Sequence, residues 1–361
     1  MVKRIESKFM PAVAIPPGIT LKENIEYLGI NQDEFAARIG ITPKHLSQII
    51  NGASPITYDT ALKLEKIFGM KAEFWMNLES AYQLDRARIA EQQELEEELK
   101  ILKDIPYKEM IKYGWISKET DKTRIVSQTR RFYNVASLRL VKNSYNVRFR
   151  QNATKNKISD FGVIAWIRQA EIEGSKEDTS TFDKVSLEKL IPEFRKLTLE
   201  EPSVFYPKMK YLCSKCGVSL VLVESLPRTY INGATIWLNN KPILALSVRG
   251  KKADIFWFTF FHELAHILHH RKNQSSISIQ DDEGNEEVEA DYLAGNYLID
   301  EDKYKYFIQN MNYENIAIIA AYAAKLNIAT HILIGRLLHD KLIDFKYFNK
   351  YRPSFEIVSK E

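Results

Sequence analysis

Residues 262–266 form the motif HELAH, in which two histidines surround a glutamate. His262 and His266 are four positions apart, so on a helix both imidazoles project from one face, at the separation that a single tetrahedral ion needs. Glu263 can reach the remaining coordination position, where a carboxylate takes a proton from water. The motif therefore predicts a zinc (Zn2+) site with Glu263 as general base.

The apolar sequence around the motif favours a helix, and Asp254 can cap its N-terminus. The alternative is that the two histidines only form hydrogen bonds on a buried helix and bind no metal, with Glu263 as a surface charge. Burying two imidazoles and an acid without a function is costly. We therefore favour the metal site.

A third ligand is expected on a separate element, and the acids of the segment EEVEADYLAG are the candidates. Glu287 and Asp291 share one helical face, so Glu287 can bind the metal while Asp291 orients a ligand histidine. Glu286 and Glu289 are expected in a solvated first turn, where acids interact favourably with the helix dipole. We predict Glu287 as the third ligand.

His269 and His270, about one turn beyond His266, are alternative third ligands. Three ligands on one straight helix converge poorly, so we favour a position for both near the unpaired carbonyls at the helix end. Tyr230 and Tyr292 are the candidates for the group that stabilises an oxyanion.

Short strands and further helices must hold the metal helix in place. The strands are predicted at Val218–Glu224, Ala234–Leu238 and Ile243–Val248, with turns at Asn232-Gly233 and Asn239-Asn240. A polar loop is predicted at Asn273–Asn285, a second helix at Glu286–Leu298 and an alanine-rich helical tail to about Phe348. The predicted fold class is mainly α with a small antiparallel β-sheet (α+β).

The first hundred residues contain short helices separated by glycines. They are predicted at Leu21–Leu28, Gln32–Ile39, Pro43–Ile50 and Tyr58–Phe68, followed by a long helix from about Ala72 to Leu102. The second and third have the spacing of a helix-turn-helix, with the small Ala36 at the crossing and Gly40 at the turn. The sequence thus predicts an N-terminal helix-turn-helix bundle.

The start of the predicted recognition helix carries polar side chains that can enter a DNA major groove. Thr42 is a natural N-cap of this helix, and Gln32 would meet phosphate or orient a side chain that contacts bases. The full predicted DNA-binding set is Gln32, Thr42, Lys44, His45, Ser47 and Gln48. Because the face is not basic, we expect double-stranded operator DNA to be bound by a homodimer with basic residues supplied elsewhere.

Charge is unevenly distributed, although the formal net charge is only +4. Lys122 to Lys157 contains ten Lys/Arg and no Asp/Glu, whereas Glu91 to Glu98 is an acidic block. The basic stretch can contact DNA phosphates through Arg148 and Arg150, or it can neutralise the acidic helix within the fold. Both alternatives stay open, with a slight preference for the internal role.

Composition excludes several classes of protein. With only Cys213 and Cys216, spaced C-x-x-C, a disulfide framework is excluded, and two buried reduced thiols are expected. No stretch approaches the roughly 20 apolar residues of a membrane span, and the first residues lack the apolar core of a signal peptide. We expect a cytoplasmic protein without membrane contact.

The run FWFTFFHELAHILHH followed by EVEADYLAGNYLI resembles the ImmA/IrrE family of bacterial metallopeptidases, over roughly residues 205 to 300. The resemblance implies a gluzincin-like zinc domain with the ligands His262, His266 and Glu287 and the base Glu263. Asp291 stands where many members have asparagine, and Ile299-Asp300 replaces the usual Met-Pro. Neither departure changes a ligand.

The segments PGITLKENIEYLGINQDEFA, NGASPIT and AEFWMNLESAYQLD resemble the XRE group of regulators, and specifically HigA-type antitoxins, over about Pro17 to Asp85. We therefore expect four segments: a helix-turn-helix domain at 1–85, a helical middle region at 86–204, the metallopeptidase domain at 205–300 and a helical C-terminal region at 301–361.

Together these features imply a DNA-binding transcriptional regulator that carries a zinc-dependent endopeptidase. The implied substrate is a regulatory protein such as a repressor, or the chain itself. The rival interpretation is a HigA-like antitoxin or repressor whose metal domain is structural or sensory and does not turn over. A toxin protein is a further partner that only the HigA resemblance implies.

Overall fold

The computed structural model describes residues 13–145, 158–247, 252–270, 276–279 and 285–355. Within them the chain is mainly helical and carries one small β-sheet, which confirms the predicted fold class. The chain divides between Lys100 and Ile101 into two compact units, the N-terminal unit and the C-terminal unit. The finer division into four segments stays a prediction.

The described part of the N-terminal unit is helical. Its helices are α1 (Gly18–Tyr27), α2 (Gln32–Ile39), α3 (Pro43–Ile50), α4 (Tyr58–Phe68) and α5 (Ala72–Ile101). Asn31, Thr42 and Thr57 cap α2, α3 and α4 by accepting hydrogen bonds from backbone N–H groups in the first turn. The predicted helices are confirmed, and α1 begins earlier than expected, at Gly18.

Apolar side chains from all five helices form one core in this unit. Phe35 and Leu46 are fully buried, and Ala36 is fully buried between the helices of the predicted helix-turn-helix. Trp75 of α5 joins the same core, and the buried Glu79 carboxylate accepts a hydrogen bond of 3.0 Å from the Ile56 N–H. The start of α5 is therefore part of the bundle.

The C-terminal unit contains the remaining helices of the described residues. They are α6 (Tyr107–Lys112), α7 (Lys122–Tyr133), α8 (Val141–Ser144), α9 (Asp160–Lys176), α10 (Lys184–Lys189), α11 (Ile191–Lys196), α12 (Pro202–Lys215), α13 (Ala253–His269), α14 (Asn285–Leu298), α15 (Glu301–Asn310), α16 (Ile316–Lys325), α17 (Thr330–His339) and α18 (Phe345–Phe348). The predicted metal helix is α13, and the predicted second helix is α14. Residues 146–157, with Arg148 and Arg150, lie outside the described residues.

Four strands form the sheet in the order β1-β3-β2-β4. They are β1 (Ser219–Leu222), β2 (Ile231–Leu238), β3 (Lys241–Leu246) and β4 (Ser276–Ile279). β2 pairs antiparallel with β3 and β4, whereas β1 pairs parallel with β3. The sheet is therefore mixed. Its strand β3 lies between β2, to which it is antiparallel, and β1, to which it is parallel.

The predicted sheet was antiparallel, whereas the observed sheet is mixed because β1 pairs parallel with β3. Two further details of the predicted sheet are wrong and one is confirmed. Asn232-Gly233 is not a turn but part of β2, because pairing to β3 and β4 on both sides holds this segment extended. β4 lies within the predicted polar loop, where the alternating Ser-Ile-Ser-Ile is typical of a strand. Asn239 and Asn240 do form the hairpin turn, with φ of 51° and 63°.

Helices cover both faces of the sheet. Thr235 of β2 contacts α13 through Glu263, whereas Ile243 of β3 lies against Gly174 of α9. Ile243 pairs with Ile236, whose side chain points to the face opposite Thr235 because strand side chains alternate. α9 and α13 therefore lie on opposite faces, and α13 runs through the interior of the unit.

A segment near residue 352 fixes the start of α13. Asp254 was predicted to cap this helix, but the N-cap residue is Lys252, which makes no side-chain cap hydrogen bond. Asp254 instead forms a buried ion pair with Arg352, with Oδ2 to Nη2 at 2.7 Å. The carbonyl of Pro353 accepts a hydrogen bond of 3.0 Å from the Ala253 N–H. A distant segment therefore replaces the expected local cap.

In the described residues no single helix has the length and apolar character to cross a bilayer. One bent pair, Ile316–Lys325 with Thr330–His339, meets the length and composition requirement together, with an angle of 116° between its helices.

The pair α16 and α17 contributes to the main core of the unit, through buried side chains that include Ile319, Tyr322, Ile332 and Leu337. This arrangement agrees with the packing role expected for the run AAKLNIATHILIGRLLHD. Elsewhere in the core, Cys213 and Cys216 are buried free thiols, as predicted, and burial raises the pKa of Cys213.

Candidate functional site

Three predicted ligands meet where α13 faces α14. His262 and His266 are only 6% and 2% exposed, and the side chain of Glu287 is 13% exposed. One potential ligand atom from each residue lies within 4.8 Å of the other two. The contact between α13 and α14 thus gathers side chains that are 25 residues apart in sequence.

The distances within the cluster fit a tetrahedral metal ion. The two Nε2 atoms are 3.0 Å apart, His262 Nε2 is 3.0 Å from Glu287 Oε2, and His266 Nε2 is 3.4 Å from Glu287 Oε1. Two ligands that are each 2.0–2.1 Å from a tetrahedral zinc ion stand about 3.3 Å apart. The donor set of two imidazoles and one carboxylate is also one that zinc prefers.

The electrostatics of the cluster favour a positive charge at its centre. Burial would lower the pKa of His262, but hydrogen bonds from its ring to the carboxylates of Asp291 and Glu287 outweigh burial and raise it to about 10. Burial would raise the pKa of Glu287, but hydrogen bonds with His262 and His266 hold it at about 2. Glu287 is therefore ionised at neutral pH, as the predicted metal ligand should be.

Asp291 lies behind His262, as the predicted orienting residue should. Its Oδ1 is 2.7 Å from His262 Nδ1, and its side chain is 55% exposed. In a neutral ring whose Nε2 is left free for a metal, the proton is on Nδ1, which donates to Asp291. This contact holds the ring with Nε2 toward the cluster.

Glu263 is fully buried, so the alternative in which it is a surface charge is wrong. The Thr235 hydroxyl is 2.9 Å from Glu263 Oε2 and 3.1 Å from the Glu263 carbonyl oxygen, and it can donate to either. A Cβ atom at Gly233 would stand 2.8 Å from Glu263 Oε1 and 2.7 Å from Thr259 Cγ2. β2 therefore supplies both a hydrogen-bond donor and the space for the carboxylate.

The two histidines at the end of α13 do not join the ligand cluster, and their rings contact side chains rather than the unpaired carbonyls. His269 Nε2 is 2.7 Å from the hydroxyl of Tyr297. His270 Nδ1 is 2.7 Å from His266 Nδ1. The structure thus places His270 behind His266, one of the predicted ligands.

The remaining acids and tyrosines lie outside the ligand cluster. Glu286 is exposed in the first turn of α14, and the side chain of Glu289 is 59% exposed, at 3.5 Å from His270 Nε2. Tyr292 is exposed on α14, and Tyr230 precedes β2 with a φ of 55°. An oxyanion role for either tyrosine stays a prediction.

The predicted DNA-binding residues lie at the starts of α2 and α3. Gln32, Lys44 and Gln48 are exposed, and His45 and Ser47 are half-buried. The Thr42 hydroxyl accepts a hydrogen bond of 3.2 Å from the His45 N–H, so Thr42 is the N-cap of α3. Lys44 and Gln48 are four residues apart and share one face of α3. The helix therefore presents a polar surface of the kind that enters a major groove.

Comparison with known families matches both regions. Residues 21–75 match the helix-turn-helix family, and residues 219–333 match the IrrE N-terminal-like domain, a peptidase family. The chain belongs to the helix-turn-helix family and carries an ImmA/IrrE-family domain. We call residues 21–75 the helix-turn-helix domain and residues 219–333 the IrrE-like domain.

Relatives of the helix-turn-helix domain include bacterial regulators. The chain is 35% identical over 75 residues to virulence-associated protein I of Dichelobacter nodosus, covering 20% of this chain and 69% of that protein. It is 31% identical over 71 residues to the uncharacterized HTH-type transcriptional regulator YddM of Escherichia coli K12, covering 20% and 76%.

A solved addiction-module antidote protein of a HigA family from Coxiella burnetii is 36% identical, with a TM-score of 0.22, over 23% of this chain and 92% of that chain.

Three residues support the IrrE-like site in roles that the sequence predictions do not assign to them: Gly233, Thr235 and His270. Gly233 and Thr235 are two positions apart on a strand and so share a face, but which face meets α13 depends on tertiary packing. His270 follows His266 by four residues, and this spacing is a signal that the sequence does contain.

Proposed function

We propose that the chain is a DNA-binding transcriptional regulator whose IrrE-like domain is a zinc-dependent endopeptidase. The convergence of His262, His266 and Glu287 beside the fully buried Glu263 carries this proposal. Three protein ligands with one free coordination position are typical of catalytic zinc sites, whereas structural sites use four. The match to a peptidase family supports the same reaction.

When bound, zinc would act as a Lewis acid that lowers the pKa of a water molecule to about 7. Glu263 is the general base that takes a proton from water and returns it to the departing amine nitrogen. Thr235 holds this carboxylate through its hydroxyl, and the burial of Glu263 shields it from bulk solvent. Asp291 keeps the imidazole of His262 in the orientation for metal binding.

The proposed partners are double-stranded operator DNA and a protein substrate, either a repressor or the chain itself. The exposed residues of α2 and α3 include Asp33, Glu34, Arg38 and Lys44, so one copy offers little positive charge to phosphates. A homodimer doubles the number of contacts, since helix-turn-helix proteins commonly place two recognition helices one turn of DNA apart. A cytoplasmic location is part of this proposal.

The variant Glu263→Gln tests the reaction. It retains the shape of the side chain and a hydrogen-bonding contact to Thr235 but cannot take a proton. We expect zinc content and operator binding to equal those of the wild type, with cleavage of a co-expressed repressor, or of the chain itself, lost. Zinc is measured by elemental analysis and cleavage by mass spectrometry.

Glu286→Gln is the matched control, because Glu286 is an exposed acid on α14, outside the ligand cluster. It should cleave as the wild type does. Cleavage that persists in Glu263→Gln would exclude the proposed base, and a wild type that cleaves neither a repressor nor itself would exclude the peptidase.

The second candidate function is a HigA-like antitoxin or repressor in which the metal domain is structural or sensory. The resemblance of the segment from Pro17 to Asp85 to HigA-type antitoxins favours it. It predicts that zinc removal changes operator binding while no cleavage occurs at any zinc concentration. Co-purification of a toxin encoded beside this chain would favour the antitoxin role.

A further inference from the structure

We propose that His270 is a positioning residue for the zinc ligand His266. The inference rests on the proposed metal site. His270 Nδ1 is 2.7 Å from His266 Nδ1, and His270 Nε2 is 3.5 Å from Glu289 Oε2.

The proton positions follow from the direction that each ring faces. His266 Nε2 points into the ligand cluster, 3.4 Å from Glu287 Oε1, and a nitrogen that binds a metal carries no proton. The proton of the neutral His266 ring is therefore on Nδ1, from which it is donated to His270. His270 must accept on Nδ1, so its own proton is on Nε2. This atom is buried and forms no hydrogen bond among the described residues, with Glu289 Oε2 at 3.5 Å.

The backbone holds His270 in this arrangement. His270 is the C-cap residue of α13, with an extended backbone at φ −97° and ψ 166°, and its N–H donates a hydrogen bond of 3.1 Å to the carbonyl of His266. Backbone and side chain of His270 thus both attach to His266. The His270 side chain is only 12% exposed, which limits competition from water.

The two histidine ligands are therefore supported in different ways. His262 donates directly to the carboxylate of Asp291, whereas His266 donates to a second imidazole, that of His270. A ligand histidine almost always donates its other N–H to an acceptor, and loss of that acceptor costs roughly 10–100-fold in metal affinity. His270 supplies the acceptor for His266.

The experiment measures zinc affinity of the full chain by competition with a chromogenic chelator. His270→Phe retains the ring without an acceptor and should weaken zinc binding by roughly 10–100-fold. His270→Asn places an amide oxygen near the former Nδ1 position and should restore affinity to within about threefold of the wild type. Glu289→Gln should have the smallest effect, since this carboxylate is mostly exposed.

His269→Phe is the matched control, because this neighbouring histidine contacts Tyr297 instead of a ligand. It should bind zinc as the wild type does, and circular dichroism of the zinc-free proteins should show equal folding for all variants. X-ray absorption of the zinc-loaded His270→Asn variant should retain the two imidazole ligands of the wild type.

Three results would overturn the proposed role of His270. Wild-type affinity in His270→Phe would show that His266 needs no acceptor there. Loss of one imidazole from the zinc shell in His270→Asn would make His270 a direct ligand. Failure of the wild type to bind zinc would exclude the metal centre itself, a result that differs from an unaffected variant of a zinc-binding wild type.

Discussion

The recognition helix α3 and the metal helix α13 hold their functional side chains in opposite environments. Lys44 and Gln48 of α3 are exposed, and α3 has its own side-chain cap at Thr42. On α13, His266 and Glu263 are at most 2% exposed, and the supporting contacts come from β2, α14 and the segment near residue 352. The cap of α3 comes from its own neighbouring residue, whereas the functional side chains of α13 are held by elements that are distant in sequence.

This difference ranks the expected effects of substitutions. A change in a buried ligand or its support alters several contacts at once, because each polar group there has few partners and no access to water. A change on the exposed surface of α3 removes one contact that solvent can replace. Four measurements test this ranking, from the largest expected effect to the smallest.

Glu287→Ala should have the largest effect. It removes the only anionic ligand and leaves two imidazoles, so zinc affinity should fall by more than about 100-fold, beyond the loss typical of a supporting residue. Glu289→Ala is the control on the same helix and should change affinity far less. The opposite pattern, with zinc lost only in Glu289→Ala, would reassign the third ligand.

Thr235→Val should come next. It removes the hydroxyl that donates to Glu263, which leaves a buried carboxylate with one donor fewer at a cost of about 1–3 kcal/mol. We expect cleavage to fall roughly 10–100-fold, with zinc content and operator binding unchanged. Thr235→Ser keeps the hydroxyl and should recover most of the activity. Equal rates in the two variants would separate Thr235 from the reaction.

His331 of α17 should make the stability of the C-terminal unit depend on pH. Burial lowers its pKa to about 4, with Asp254 acting against this shift and Arg352 adding to it. The folded unit therefore holds a neutral ring, so its stability is complete above the unfolded pKa of about 6.5 and decreases as the pH falls toward 4. Between pH 7 and pH 5 the decrease should be on the order of 2 kcal/mol.

Thermal unfolding of wild type and His331→Phe at pH 7 and pH 5 measures this effect. Phe cannot titrate, and the ring's Nε2 is buried with no hydrogen-bond partner among the described residues, so little is lost at pH 7. The variant should lose less stability than the wild type at pH 5. Equal losses would assign the pH dependence to other groups.

Lys44→Ala should have the smallest effect. As an exposed phosphate contact it should weaken operator binding similarly for all sequences and reduce the slope of log affinity against log salt by about one. Lys22→Ala, which removes an exposed lysine of α1 that lies 3.8 Å from Glu26, is the control and should leave the slope unchanged. A loss for Lys44→Ala as large as that for Glu287→Ala in its own assay would contradict the ranking.

The same difference explains how much could be predicted from the sequence. Patterns within one element, such as Thr42 before Pro43 or His262 before His266, predict caps and ligand pairs because neighbours on a helix are fixed by its period. Glu287 was also within reach, since its helix has a strong pattern and its spacing to Asp291 matches a ligand with its supporting group.

Contacts between distant elements could not be predicted in this way. Asp254 was expected to act as a local cap, but Arg352 is its partner, and no local pattern specifies an ion pair across that separation. Gly233 was expected in a turn because Asn-Gly is a strong turn signal, yet pairing on both sides extends it as part of β2. Tertiary packing overrode the local preference in both cases.

The anchoring of α13 also sets an order of events during protein synthesis. Arg352 follows Asp254 by 98 residues, so a nascent chain on the ribosome contains the whole HELAH helix long before its anchoring partner has been translated. Until then the first turn of α13 lacks the ion pair with Arg352 and the hydrogen bond to Pro353. We therefore expect the metal site to mature only after residues 352–353 leave the ribosomal tunnel, so that newly made DNA-binding units precede any peptidase activity on the same chain.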